Sequence, residues 1–208
     1  TDEEMVDIQT RLEQLIVEAK KALDEKDNLV KVVTAYYLLI SIITGLRRGE
    51  QLQLRWSDIE WMEHIVDDKA GGETYSLVKI TVRAETTKVR KTRKFVVKDW
   101  DYFDDLFKLL HSRYVRANSE NSESTHFGNS LIFSVDGKTA ITARAIQYNF
   151  DKIIELAEIA NTDTRDLVPY SFRHYFITNR INKGFTPTQI AEICGTSTRE
   201  IEKTYYHT

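Results

Sequence analysis

The chain has 208 residues, of which 41% are hydrophobic and 11% aromatic, enough for one domain with a sizeable core. Its formal net charge of −3 does not by itself indicate nucleic-acid binding, and its single cysteine, Cys194, excludes an internal disulfide. No apolar run reaches the roughly 18 residues that a membrane span requires, and no basic-then-apolar leader opens the sequence. These features predict a soluble, intracellular protein.

Two long helices are predicted at the start of the chain. Residues 1–4 supply a capping threonine and early acidic side chains, and apolar residues then recur at helical spacing. A second helix over about 28–44 is apolar nearly all round, a pattern that is typical of a buried central helix. Gly45 ends this helix, and a short helix is expected after it, through Leu54.

A small antiparallel sheet is predicted next. A strand-like segment starts at 56–61, and residues 75–82 and 92–97 alternate and are rich in β-branched side chains. These segments predict three strands on the edge of a helical body. A basic run lies at the junction of the last two strands, and a solvated charged hairpin is the default interpretation of such a run. Its basic residues are Lys88, Arg90, Lys91, Arg93 and Lys94.

The middle of the chain predicts two amphipathic helices and a long connection. The helices are expected at 99–116 and 142–160, where apolar residues recur at helical spacing. The stretch 117–130 is polar and low in complexity, which predicts a mobile surface loop, and 131–133 predicts a short extended piece.

The C-terminal part of the chain contains strong helix start and stop signals. Ser171 is expected to cap a helix that Gly184 ends. Residues 186–189 form a capping box with proline at the first helical position, and the helix that they open stops at Gly195.

Two adjacent tyrosines lie on the last predicted helix. A second capping box at 197–200 opens this helix, which carries Tyr205 and Tyr206. Consecutive helical residues differ in direction by about 100°, so both side chains are not expected to face one site. One is expected to pack while the other projects, and two packing aromatic residues near a chain end are the structural alternative.

Two arginines stand at positions suited to binding a phosphate. Arg47 follows the buried helix at a glycine-containing turn, where a rigid backbone can present its planar guanidinium. For Arg47 alone, a surface ion pair with Glu50 is the favoured alternative. Arg173 lies near the start of a helix, where the macrodipole also favours an anion, and its alternative is a structural pair with an acid.

Three segments together resemble the motifs of the tyrosine recombinases, the phage-integrase-like family. Residues 44–59 (TGLRRGEQLQLRWSDI) resemble the first arginine box, residues 170–178 (YSFRHYFIT) the second, and residues 195–205 (GTSTREIEKTY) the segment that ends in the nucleophile. They occur in family order and spacing. The resemblance implies a catalytic domain over 1–208 with an α+β, mainly helical fold and a small antiparallel three-stranded sheet at one edge.

The resemblance assigns roles to four of these residues. Arg47 and Arg173 match the two arginines that grip the scissile phosphate. Lys88 matches the lysine of the strand-to-strand turn, which is expected to protonate the leaving 5′-oxygen. Tyr205 has the spacing of the family's nucleophile, and Tyr206 does not.

Two positions depart from the commonest family pattern, and they leave open which group accepts the proton of the nucleophile. Tyr170 stands where a histidine often opens the second box, and Thr196 stands where a histidine or tryptophan often follows the glycine. A helix-capping hydroxyl is the structural alternative for Thr196. His174 matches a frequent family residue and is expected to support the site without being its main base. DNA contacts are expected from Arg48, Arg90, Lys91 and Arg93.

The resemblance implies strand cleavage and rejoining of double-stranded DNA through a 3′-phosphotyrosyl link. The sequence shows no convincing cluster of carboxylates or histidines for Mg²⁺ or Zn²⁺, so no metal or other cofactor is expected. It implies an additional N-terminal DNA-clamping domain and a tetramer on DNA for the full-length protein, a monomer for this fragment, and a cytoplasmic location in a bacterial or phage-infected cell. Two alternatives stay open. One is a DNA-binding regulatory or architectural protein that has lost catalysis, and the other is type IB topoisomerase-like strand relaxation.

Overall fold

The computed structural model describes residues 1–66, 73–87, 90–117 and 124–205. Within these ranges the chain forms eight α-helices and three β-strands. They are α1 (Asp2–Lys20), α2 (Lys26–Thr44), α3 (Arg48–Gln51), β1 (Ile59–Val66), β2 (Glu73–Val82), β3 (Arg93–Val97), α4 (Asp101–Ala117), α5 (Ala143–Leu156), α6 (Ser171–Asn182), α7 (Pro187–Cys194) and α8 (Thr198–Tyr205). The predicted mainly helical α+β class with a small sheet is confirmed.

Helix α2 is the centre of the main hydrophobic core and packs against α1, α4, α5 and α6. Its stretch Asp27–Thr44 has 18 residues and a mean hydropathy of 1.3, long and apolar enough by length and composition to span a membrane. The expectation that no such run exists is therefore wrong. Because 78% of this stretch is buried inside the protein, burial in the core explains why α2 is so apolar.

The three strands form an antiparallel sheet in the order β1–β2–β3, as predicted. Strand β2 turns Val78, Ile80 and Val82 towards the core, and all three are fully buried. Their partners on β3 are Val97, Phe95 and Arg93, respectively. Successive strand residues point to opposite faces, so Arg93 lies on the same face of β3 as these two buried apolar residues.

Two predictions in the middle of the chain are wrong in part. Ser124–Asn129, in the stretch predicted as a mobile loop, forms a 3-10 helix, and Phe127 is buried with its ring stacked on Trp56 at 5.8 Å between centroids. Residues 118–123 of that stretch lie outside the described residues. Helix α5 ends at Leu156 instead of about residue 160, because Glu158 adopts a positive φ angle of 52°, which a right-handed helix does not allow.

The last three helices form a second, smaller core. Phe176 and Ile177 of α6 pack with apolar residues of α7 and α8, apart from the main core. The start of α6 differs from the prediction, because Tyr170 is the N-cap residue and Ser171 is already helical. The Ser171 hydroxyl instead accepts a hydrogen bond from the preceding Val168 N–H at 3.1 Å. The predicted capping box before α7 is confirmed.

Candidate active site

A cleft of about 620 Å³ opens between the α2–α3 turn, α5 and the start of α6. Arg47, Arg48, Tyr170 and Arg173 all line it, so the fold brings together the two predicted arginine boxes. Thr86, in the β2–β3 connection, lines the same cleft.

Arg47 is held at the mouth of this cleft by two acceptors. Gly45 ends α2 in the left-handed conformation with φ 59°, and Arg47 then adopts an extended backbone as the N-cap of α3. Its Nη1 donates to Glu50 Oε1 at 3.2 Å and to the Gly195 carbonyl at 2.7 Å. The ion pair between Arg47 and Glu50 is therefore present. Because Glu50 is buried, this pair orients Arg47 and is not an ordinary surface ion pair.

Arg173 is 4% exposed and is held by backbone carbonyls. Its Nη1 donates to the Gly45 carbonyl at 2.6 Å, and its Nη2 donates to the Cys194 carbonyl at 2.9 Å. No acidic side chain of the described residues pairs with it, in contrast to the structural alternative. A guanidinium has five N–H donors, so three remain after these two bonds for a ligand in the cleft.

Tyr205 and His174 are joined by a short hydrogen bond. The Tyr205 hydroxyl lies 2.6 Å from His174 Nδ1, which connects the end of α8 to the first turns of α6. The phenol donates when the neutral imidazole carries its proton on Nε2. Tyr170 also contacts His174, with its ring centroid 5.2 Å from that of His174 in a T-shaped arrangement.

The electrostatic setting of this pair favours a protonated tyrosine and a neutral histidine. Burial raises the pKa of Tyr205 to about 12, and the opposing charge of Arg173 only partly offsets it. Partial burial and the charge of Arg173 hold the pKa of His174 below its ordinary value. Burial thus outweighs the effect of Arg173, whose positive charge favours the phenolate. A proton acceptor is therefore needed, and the contact of His174 with the Tyr205 hydroxyl favours His174 in this role, in contrast to the sequence-based expectation that it only supports the site.

The remaining predicted site residues fall into three groups. Thr196 is half-buried behind Gly195, and its N–H closes the end of α7 by donating to the Ala191 carbonyl at 3.0 Å. Lys88 and Tyr206 lie outside the described residues. Arg48, Arg90 and Lys91 are exposed, and their DNA contacts stay a prediction.

Arg93 differs from the expectation of a DNA contact. Its side chain is 11% exposed, and its guanidinium donates to both oxygens of Glu50 and to the Ile193 carbonyl. Its donors are thus used inside the protein.

Sequence reasoning treated Glu50 only as a surface partner of Arg47 and missed its buried place in the candidate site. Its side chain is 3% exposed and accepts from both Arg47 and Arg93. Burial opposes its ionisation, but the two arginines outweigh burial and hold the pKa of the carboxyl below its ordinary value. Its position three residues after Arg47 was visible as a local pair, whereas its partner Arg93 is distant in sequence. Among the described residues, no group of three or more histidine, cysteine or acidic side chains is placed to hold a metal ion.

Position 195 requires glycine, because both the backbone conformation and the neighbouring Arg93 exclude a side chain. It ends α7 with φ 62°, and a Cβ there would lie 2.5 Å from Arg93 Nη1. We expect Gly195→Ala to lower the free energy of unfolding by at least about 1–2 kcal/mol, the cost of the left-handed conformation alone. Urea denaturation measures this.

Gly49→Ala is the matched control for this substitution. Gly49 lies in helix α3, and a Cβ there meets nothing within 4 Å. Alanine at such a helical position is expected to be neutral or to stabilise by up to about 1 kcal/mol. Equal urea midpoints for Gly195→Ala and wild type would contradict the role given to Gly195.

Comparison with known proteins identifies the family. The family model described as "Phage integrase family" matches residues 9–208, so the chain belongs to the phage integrase family. The resemblance drawn from the three motifs is confirmed. No curated protein sequence matches the chain.

Solved structures of recombinases share the fold. The XerH site-specific recombinase in a pre-cleavage complex with its difH substrate is 18% identical, with a TM-score of 0.65 over 100% of this chain and 50% of that chain. Its post-cleavage complex with palindromic difH is 18% identical, with a TM-score of 0.56 over 93% and 47%. The XerA recombinase is 21% identical, with a TM-score of 0.53 over 96% and 57%. The chain therefore spans about half the length of these proteins.

Proposed function

We propose that this chain is the catalytic domain of a site-specific DNA recombinase, an integrase that cleaves and rejoins DNA through a 3′-phosphotyrosyl intermediate. One observation carries the proposal. Arg47 and Arg173 donate to the consecutive carbonyls of Gly195 and Cys194, directly before the helix that ends in Tyr205. These bonds link the two fixed cations that line the cleft to the segment that leads to the Tyr205 hydroxyl and its proton acceptor, which supports placing all four residues in one site.

The arginines supply the electrostatic part of the chemistry. Attack of an oxygen on a phosphodiester produces a five-coordinate state with added negative charge. Guanidinium groups that are fixed before the reaction stabilise this charge without reorganising, and their planar donors match phosphate oxygens. Arg173 is anchored at two points and Arg47 at two, so both meet this requirement.

The tyrosine and histidine supply the nucleophile and its proton acceptor. Neutral His174 takes the phenolic proton at Nδ1 while the Tyr205 oxygen bonds to phosphorus. The bond from phosphorus to the 5′-oxygen breaks, and that oxygen takes a proton, for which Lys88 remains the donor proposed from its motif. A 5′-hydroxyl of another strand then reverses the step. Because the covalent link keeps the bond energy, no nucleotide hydrolysis is needed.

The partners follow from the same proposal. The substrate is double-stranded DNA, contacted in part by exposed Arg48, Arg90 and Lys91, and the site of action is the compartment that holds this DNA. This chain covers 50% of the XerH chain, which supports the expected further DNA-clamping domain in the full-length protein. Tetramer formation on DNA is proposed for the full-length protein and not for this fragment.

Covalent trapping tests the proposed function. The protein is incubated with a library of nicked duplexes whose target sequence is randomised. The nick lies beside the cleavage position, so that cleavage releases a short fragment. Loss of this fragment prevents rejoining and leaves the covalent adduct in place. Adducts that survive boiling in detergent are isolated, and their DNA is sequenced while their peptides are mapped. We expect DNA joined through its 3′-phosphate to a peptide containing Tyr205. Retention of duplex without any covalent adduct would instead identify a DNA-binding protein without catalysis. Supercoil relaxation without exchange between two sites would identify topoisomerase-like activity.

The pH dependence of cleavage tests His174 as the proton acceptor. Only the neutral imidazole accepts a proton, so the single-turnover rate should fall as pH drops through the pKa of His174. Because that pKa is lowered, the acidic limb should lie below about pH 6.5, the ordinary value. His174→Ala should lose this limb and cleave about 10²–10⁴-fold more slowly at neutral pH. An unchanged rate in His174→Ala would exclude the role.

A further inference from the structure

The C-terminus of α7 is held by three arginines from three different parts of the fold. Each guanidinium donates to one of three consecutive carbonyls. The pairs are Arg93 with Ile193 at 2.9 Å, Arg173 with Cys194 at 2.9 Å, and Arg47 with Gly195 at 2.7 Å. The carbonyls at a helix C-terminus carry partial negative charge and have no partner within the helix, so cations are stabilising there.

Arg93 is the member of this group that has no place in the cleft. It comes from β3, on the strand face that also carries Phe95 and Val97, and it does not line the cavity beside Arg47 and Arg173. Its Nε bonds the Ile193 carbonyl, while Nη1 and Nη2 bond the two Glu50 oxygens at 3.2 and 2.7 Å. This forked geometry needs a guanidinium, because a lysine has one nitrogen and cannot reach three separated acceptors.

Glu50 connects Arg93 to the candidate catalytic arginine. Its Oε1 accepts from Arg93 Nη1 and from Arg47 Nη1, both at 3.2 Å. Gly195 allows this packing, since a Cβ at that position would collide with the Arg93 guanidinium. Displacement of Arg93 would therefore affect the carboxylate that orients Arg47 and the carbonyl that precedes the helix of Tyr205.

We propose that Arg93 is a positioning residue that fixes the end of α7, and so sets the helix of Tyr205 and the guanidinium of Arg47 relative to each other. The proposal rests on the proposed function for its effect on cleavage. The competing interpretation is the phosphate contact that the basic run suggested. A phosphate contact contributes to DNA affinity and to its salt dependence, whereas a positioning residue acts on the rate of the chemical step.

The test compares Arg93→Lys with Lys94→Gln, a neighbouring exposed position on the opposite face of β3. Lysine keeps a positive charge beside Glu50, so no buried carboxylate is left without a cation. Single-turnover cleavage at saturating nicked DNA, the DNA dissociation constant at several salt concentrations, and hydrogen exchange of the free protein are measured. We expect Arg93→Lys to cleave about 100-fold more slowly, the effect of a misplacement of about 1 Å. DNA affinity and its salt slope should stay unchanged.

Hydrogen exchange separates failure of this inference from failure of the proposed function, because it needs no DNA. In Arg93→Lys, residues 196–205 should exchange faster than in wild type while α2 exchanges as before; Lys94→Gln should change neither. Unchanged exchange over 196–205 would overturn the proposal whether or not the wild type forms an adduct. Exchange that accelerates in α2 as well would also overturn it in favour of general stability.

A second variant guards against a folding defect of the first. Glu50→Gln/Arg93→Gln removes both charges of the more buried ion pair together, while Arg47, whose side chain is 26% exposed, keeps its bond to the Gly195 carbonyl. It should also cleave slowly with unchanged DNA affinity. In this double variant, which lacks the positive charge at position 93, full cleavage with a salt slope reduced by about one would assign Arg93 to the DNA instead.

Discussion

Replacing Tyr205 by phenylalanine is expected to abolish the covalent protein–DNA adduct. The substitution removes the attacking oxygen and leaves the ring, so the packing of α8 should persist. Removal of an enzyme nucleophile costs on the order of 10⁶-fold in rate where it has been measured, which would place the adduct below detection. The measurement is the fraction of nicked duplex that migrates with protein on a denaturing gel.

Tyr206→Phe is the matched control for this prediction. It makes the same chemical change one residue later, at a position that lacks the family's nucleophile spacing. We expect adduct formation by Tyr206→Phe to match wild type.

The Tyr205→Phe variant should remain folded. Loss of the Tyr205 hydroxyl removes its hydrogen bond to His174, which is worth only about 1 kcal/mol. An adduct that persists in Tyr205→Phe and disappears in Tyr206→Phe would reverse the assignment.

The second large effect is expected from Arg173→Lys. Lysine preserves the charge but cannot donate to the Gly45 and Cys194 carbonyls while also presenting donors to a phosphate. Loss of one preorganised donor to a charged transition state typically costs about 10²–10³-fold in rate. The single-turnover rate at saturating DNA should therefore fall by at least this factor.

The stability of the same variant separates its structural role from its chemical role. A buried carbonyl left without a partner costs about 1–3 kcal/mol, so the urea midpoint should also fall. Arg199→Lys, an exposed substitution of the same type on α8, should change neither rate nor midpoint. If Arg173→Lys cleaves at the wild-type rate, Arg173 has a structural role only.

Local sequence signals predicted much of the fold. Helical spacing and capping boxes indicated α1, α2 and α7, and alternation indicated the sheet, because these features depend on neighbours a few residues apart. The 3-10 helix of Ser124–Asn129 was missed, since a single buried aromatic residue, Phe127, has no periodicity. Its burial depends on contact with Trp56, which is remote in sequence.

The sequence predicted which residues form the site, but it did not predict most of the interactions between them. The motifs supplied Arg47, Arg173 and Tyr205, and the pair of Arg47 with Glu50 is local. The contacts of the three residues with Gly195, Gly45, Cys194 and His174 are set by long-range packing that no local pattern encodes. The pKa of Tyr205 shows the same limit, because charges are visible in the sequence and burial is not. One signal was available for Arg93: it alternates with Phe95 and Val97 on β3, which placed it on the inward face.

The division of the apolar interior into two clusters has a consequence for the mobility of the nucleophile. Helix α6 contributes Phe172 to the large cluster and Phe176 to the small one, so Arg173 lies on the helix that both share. The small cluster is built from six buried residues, whereas the large one extends over the rest of the protein. Detachment of α7 and α8 therefore requires less free energy than global unfolding. The segment that carries Tyr205 therefore opens in an equilibrium of its own. The guanidinium groups of Arg47 and Arg173 help to hold this segment closed, and the same groups would bind a phosphate.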